Sequence, residues 1–87
     1  MTTDREQAPE QARSLASRLA EARAAGNEWR QLPLVVATRA AVRRGLAKPG
    51  EVGTLAGWSP YTWMIYVMRE GKKRPQRFHP SFWRLAP

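Results

Sequence analysis

The chain has 87 residues, no cysteine, one histidine and a formal net charge of +8. This length suits one small domain, excludes disulfides and thiolate metal sites, and leaves little room for an enclosed active site. The polar N-terminus lacks the apolar segment of a secretory signal, and no apolar stretch approaches the ~20 residues that span a bilayer. We therefore expect a cytoplasmic protein without membrane association.

The positive charge is unevenly distributed. Residues 1–30 contain five arginines and five acids, whereas residues 69–87 contain six cations and one acid. A neutral part joined to a basic part is typical of a scaffold with a polyanion-binding face. The alternative interpretations are a charge surplus that only improves solubility and a disordered basic tail.

Proline and glycine divide the chain in a repeated order that predicts helices. Proline is tolerated at the first helical position, and glycine is favoured just past the last one. Four segments fit this order, namely 9–26, 33–45, 49–57 and 60–71. The sequence therefore predicts an all-α, small four-helix domain over residues 9–71, after a disordered segment 1–8 and before a basic C-terminal arm or short wing, 72–87.

Individual residues add detail to these helices. The first helix places small and apolar residues on one face, which we expect to be buried: Ala12, Leu15, Ala16, Leu19 and Ala22. Trp29, in the connector that follows, is expected to anchor in the core. Arg43 and Arg44 close the second predicted helix, where they suit the negative end of the helix dipole and remain free to contact phosphate, as does Lys48.

The stretch EVGTLAGWSPYTWMIYVMREG combines a short helical pattern, a turn at Gly57 and a second segment that opens with Ser59-Pro60. Residues 50–70 of this chain resemble the helix-turn-helix of small actinobacterial and phage regulators. The resemblance implies that the second helix lies in a DNA groove. The groove-facing residues would be Ser59, Tyr61, Thr62, Met64, Ile65 and Met68, with Arg69 at the helix end. The same resemblance implies that Trp63 and Tyr66 belong to the core.

The composition of this second helix leaves its role open. Proteins that read bases usually place Arg, Lys, Asn or Gln in the groove, whereas Met64, Ile65 and Met68 are apolar. The helix then reads shape and thymine methyl groups, leaves specificity to the C-terminal arm, or docks on a protein.

The segment REGKKRPQRFHPSFWRL is similar to the run that follows the helix-turn-helix in excisionase-like winged proteins. This similarity implies a basic wing whose cations touch the phosphate backbone: Lys72, Lys73, Arg74 and Arg77. The aromatic residues Phe78, Phe82 and Trp83 either stack on unpaired bases or fold the tail back onto the helices. We favour the second interpretation, because a small domain needs their apolar area.

The sequence predicts no catalytic residue, metal ligand or cofactor. His79 has no partners for general-base chemistry, and we interpret it as a solvated or aromatic-packed loop residue. We expect a duplex DNA-binding protein, either a transcriptional regulator or a recombination accessory factor, associated with the nucleoid. RNA remains open as a ligand. The alternative is a protein-interaction module that docks on a partner, or on its own copy as a homodimer, through the apolar fourth helix.

Overall fold

The computed structural model describes residues 10–28 and 31–87. In chain order the elements are α1 (Glu10–Ala24), β1 (Leu34–Ala37), α2 (Arg39–Arg43), β2 (Val52–Trp58), β3 (Ile65–Arg69), β4 (Gln76–Phe78), a 3-10 helix (Pro80–Phe82) and β5 (Trp83–Leu85). The prediction of an all-α, four-helix domain is therefore wrong. The segment 1–8 predicted to be disordered and the predicted anchor Trp29 lie outside the described residues.

Helix α1 confirms the first predicted helix. Four of the five residues of its predicted apolar face are buried, with Leu15 and Leu19 fully inaccessible, and Ala22 is half-buried. The helix ends at Ala24 and Gly26 follows it, with a φ of +76° in the left-handed conformation that glycine adopts at low cost. The amides of Gly26 and Asn27 donate to the carbonyls of Arg23 and Ala22, which is the hydrogen-bond pattern of a Schellman motif.

The second predicted helix is a strand followed by one short helix. Val35 and Ala37 are buried while Leu34 is 49% exposed, an alternation of period two that defines β1. β-branched residues favour this pleated conformation over a helix. Helix α2 does end where the glycine rule places the stop, because Gly45 has a φ of +71°.

The third and fourth predicted helices, and with them the helix-turn-helix, are wrong. Residues 52–58 and 65–69 are strands β2 and β3, which pair with each other in an antiparallel hairpin. On β3, Ile65 and Val67 are buried while Tyr66 is exposed, as expected for a strand with one face on the core. The apolar residues of this segment fit both a helical spacing of three and four and a strand alternation of two. Pairing with β2 favours the strand.

The five strands form one sheet in the order β4-β3-β2-β1-β5, with every pair antiparallel. The edge strands β4 and β5 nevertheless meet, since the rings of Phe78 and Trp83 are 5.4 Å apart in an edge-to-face arrangement. The sheet is therefore strongly curled. Its concave inner face and α1 enclose the core, which consists mainly of aliphatic residues with Trp83 as its largest member.

The C-terminal tail is part of this sheet. Phe78 and Trp83 are buried, as predicted, although strands rather than helices receive them. His79 is exposed, its Nδ1 accepts a hydrogen bond from the Ser81 amide, and its ring lies 6.0 Å from that of Phe82. In the described part of the chain, no helix has the length and apolar character needed to cross a membrane.

Candidate nucleic-acid interface

The sheet portion of the chain holds the whole charge surplus. Residues 31–87 contain ten cations and two acids, whereas residues 1–30 contain equal numbers of each. One of the two acids, Glu51, is occupied by an arginine in the fold. The exposed surface of the sheet portion is therefore strongly cationic.

Two loops concentrate these cations at one end of the sheet. Strands β1 and β3 run in the same direction because each is antiparallel to β2, so the connections that follow them leave from the same end. The first connection spans 38–51 and the second 70–75. Together they carry seven exposed cations, which we call the basic end: Arg39, Arg43, Arg44, Lys48, Lys72, Lys73 and Arg74.

An ion pair holds the two loops of the basic end together. Arg69, at the end of β3, donates from Nε to Glu51 Oε2 at 2.5 Å and from Nη2 to Glu51 Oε1 at 3.0 Å. Glu51 also accepts the backbone amide of Lys48 at 3.0 Å. Both side chains are largely buried, with 17% and 15% of their surfaces exposed. This bidentate geometry is the favourable one for an arginine and a carboxylate.

Electrostatics follow from that geometry. The hydrogen bond from Arg69 lowers the pKa of Glu51 below its ordinary value, against the opposing effect of burial. Arg69 also donates to Gln76 Oε1 and its guanidinium lies over the Phe78 ring. Arg69, which the sequence places at a groove-contacting helix end, therefore positions other elements from a partly buried site.

The sheet also has an outer face, opposite the core. We define it by six residues that alternate with core residues on β1, β2 and β3 and that are exposed or half-buried: Leu34, Val36, Val52, Thr54, Tyr66 and Met68. Arg77 on β4 is paired with Tyr66, and Arg84 on β5 is paired with Val36. An apolar strip therefore runs between two exposed arginines on the edge strands.

The residues predicted to face a DNA groove do not share one surface. Ser59, Tyr61 and Thr62 lie in the β2–β3 loop, with Met64 just before β3. Ile65 is in the core, with 1% of its surface exposed, because its side chain points to the inner face. Met68 lies on the outer face. A recognition helix built from these residues does not exist.

The β2–β3 loop has its own aromatic cluster. The rings of Trp58 and Trp63 stack at 5.2 Å with an interplanar angle of 18°. Trp63 has a φ of 59°, a left-handed conformation that is unusual for a bulky residue. Its amide donates to the Ser59 carbonyl, which helps to hold the strained turn. Tyr61, at the tip, is 84% exposed.

Sequence reasoning did identify most of the basic end. It proposed Arg43, Arg44 and Lys48 from one segment and Lys72, Lys73, Arg74 and Arg77 from another, and the fold brings six of these seven to one end of the sheet. Arg44 also lies over the Phe82 ring at 5.4 Å. Three exposed residues of the basic end and of the sheet's outer side were not among the predicted contacts: Arg39, Tyr66 and Arg84. The alternation of Ile65 to Met68 is the signal that would have placed Tyr66 on a solvent-facing side.

Comparison with known protein families, curated proteins and solved structures finds no match to this chain. Within residues 10–28 and 31–87, no group of three or more His, Cys, Asp or Glu side chains is arranged to hold a metal ion.

Proposed function

We propose that this chain binds nucleic acid and that its basic end contacts the phosphate backbone. The observation that carries the proposal is the convergence of two separate loops, with seven exposed cations, at one end of the sheet. Cations that converge in this way neutralise several phosphates at once and release their counterions, which drives binding at moderate salt.

The fold changes the expected mode of binding. Without a recognition helix, nothing in the described residues enters a major groove in the way that a helix-turn-helix does. Contacts to phosphate fix position but carry no sequence information. We accordingly propose a binding protein, rather than an enzyme, whose interface contacts the phosphate backbone of the nucleic acid. Such a protein would act in the cytoplasm, associated with the nucleoid.

Salt titration of binding tests the proposal. Fluorescence anisotropy with a labelled oligonucleotide should give a linear fall of log affinity against log salt, with a slope of roughly 0.7–0.9 for each phosphate contacted. The double variant Lys72→Gln/Lys73→Gln should lower that slope by roughly 1.4–1.8 and weaken binding to all sequences alike.

The neutral part of the chain offers a matched control. The double variant Arg13→Gln/Arg18→Gln removes the same charge from exposed positions of α1 and should leave the slope unchanged. Equal weakening by the two double variants would show that only net charge matters. Binding no tighter than millimolar at 50 mM salt would refute the proposal.

A further inference from the structure

We infer that the outer face binds unpaired bases, with Tyr66 as a stacking platform, so that the preferred ligand is a single-stranded nucleic acid. This inference rests on the proposed function and names the form of nucleic acid that the interface selects.

The outer face is unusually apolar for a solvent-facing side of a sheet. An antiparallel sheet with one solvated face normally alternates apolar residues inward with polar residues outward. Here the outward residues Leu34 and Val52 are 49% and 48% exposed, and Tyr66 is 36% exposed. Thr54 is the polar member of the six that define the face. Exposed apolar area bordered by polar groups marks a binding surface.

Tyr66 has an open neighbour on β2. It is paired with Gly57, beyond the register shift that separates Leu55 from Gly57. A Cβ at Gly57 would lie 3.5 Å from Cδ2 of the tyrosine ring, in ordinary van der Waals contact. Because glycine has no side chain there, β2 places no side chain against that part of the ring, and Tyr66 keeps 36% of its surface exposed. A flat group can approach the ring at this exposed surface.

An arginine flanks Tyr66 on each side along the sheet. Arg77 is the partner of Tyr66 on β4. On the other side, Arg23 Nη2 lies 4.0 Å from the same Cβ position at Gly57 and donates to the Ala56 carbonyl at 2.6 Å. An aromatic ring between two cations can stack on a base while the cations contact the adjoining phosphates.

A groove continues the surface toward the basic end. It has a volume of about 640 Å³ and is lined by apolar outer-face residues together with Lys72 and Lys73 of the β3–β4 loop. Its lining also includes the acid Glu70, but the two lysines outweigh this charge and the groove is net positive. Arg84 borders the face on the opposite edge strand. The apolar strip is thus continuous with cationic groups on three sides.

This combination favours a single strand over a duplex and over a protein. In a duplex the faces of the bases are stacked on one another, so an apolar strip would meet only phosphates and base edges. Single-strand binding surfaces combine an aromatic platform with a positively charged groove. A protein partner would match the apolar strip, but its fit to the surrounding cations would require an acidic surface.

The binding experiment compares four probes and three variants of the full chain. The probes are a labelled 12-mer as single-stranded DNA, the same sequence as single-stranded RNA, and the duplex form of each. The single strands should bind at least tenfold more tightly than the duplexes. Tyr66→Ala should weaken single-strand binding by about 5- to 150-fold, the range for loss of one stacked base, and leave duplex binding unchanged.

Two control variants separate stacking from a general loss of structure. Tyr66→Phe keeps the ring and should bind single strands as the parent chain does, whereas Tyr61→Ala removes an exposed tyrosine in the β2–β3 loop and should have no effect. Thermal melting of each variant checks folding. Unequal binding of the DNA and RNA single strands would identify which of the two sugars the face accepts.

The possible failures are distinguishable. Equal binding of single strands and duplexes, with no effect of Tyr66→Ala, would overturn this inference and leave the proposed function intact. Absence of salt-dependent binding to any probe would remove both. Sedimentation as a dimer that Val52→Lys dissociates, without change in single-strand affinity, would show that the outer face joins two copies of the chain and would also overturn the inference.

Discussion

Gly53 gives a stability test whose sign depends on the fold. It lies on β2, and a Cβ there would point to the inner face, 2.5 Å from Cγ1 of Val67 and 3.1 Å from the Met68 carbonyl oxygen. Ordinary contact between carbon atoms is ~3.5–4.0 Å, so the added methyl overlaps by roughly 1 Å. Val67 is fully buried and stiff about χ1, which prevents easy relief.

The expected result is destabilisation. Overpacking of this kind costs about 1–3 kcal/mol, and Gly53→Ala should lower the free energy of unfolding by that amount. For a domain of this size, each kcal/mol corresponds to a fall of about 4–8 °C in Tm. If residue 53 were in a helix, the same substitution would instead stabilise the chain by ~1 kcal/mol, because alanine is the better helix former.

Urea denaturation followed by circular dichroism measures the change, and the same strand supplies the control. At Gly57 an added Cβ finds its nearest neighbour at 3.5 Å, which is ordinary contact. Gly57→Ala should therefore leave stability unchanged or raise it by up to about 1 kcal/mol, since alanine restricts the unfolded chain. A Gly53→Ala variant as stable as the parent chain would refute the packing of β2 against β3 described here.

Two further predictions concern polar contacts. Because Arg69 lowers the pKa of Glu51 in the folded chain, this pair stabilises the fold above the ordinary pKa of 4.5, and the stabilisation is lost as the pH falls through the folded value. Glu51→Gln should therefore lose less stability than the parent chain below about pH 4.5, as measured by urea denaturation at a series of pH values. An acid-induced loss equal to that of the parent chain would count against the pair. Arg23→Gln should lower the free energy of unfolding by about 1–2 kcal/mol through loss of the hydrogen bond to the Ala56 carbonyl. The control Arg18→Gln, on the same helix and highly exposed, should change it by less than about 0.5 kcal/mol in thermal melts. Equal effects of the two substitutions would contradict the role of Arg23 in holding β2.

A local signal such as a helix cap can be correct even where the predicted helix does not form. Ser59 shows why. Its Oγ accepts the amides of Tyr61 and Thr62 at 3.3 and 3.4 Å, as an N-cap does. The helix that should follow does not form, because Trp63 turns the chain into the left-handed region and Ile65 begins a strand. A cap depends on three or four residues, whereas β3 depends on pairing with β2, which no local pattern reveals.

The same division explains the site. Clusters of cations along the sequence, such as Lys72 to Arg74, are visible without a structure and were proposed as phosphate contacts. Their meeting with the cations of 38–51 depends on strand order and direction. Helix α1 was predicted correctly because its signals are local: an apolar face of period 3.6 and a glycine just past its end.

The bond between Arg23 and Ala56 has a consequence for how truncated forms of the chain would behave. Strand β1 accompanies β2 only as far as the bond from the Leu55 amide to the Pro33 carbonyl, so beyond that point β2 keeps β3 on one side and has no strand on the other. A guanidinium from α1 occupies the carbonyl there. Removing the residues before Gly26 would leave this edge of β2 unpaired and would expose the aliphatic inner face of the sheet. An unpaired edge and an exposed apolar face both favour self-association.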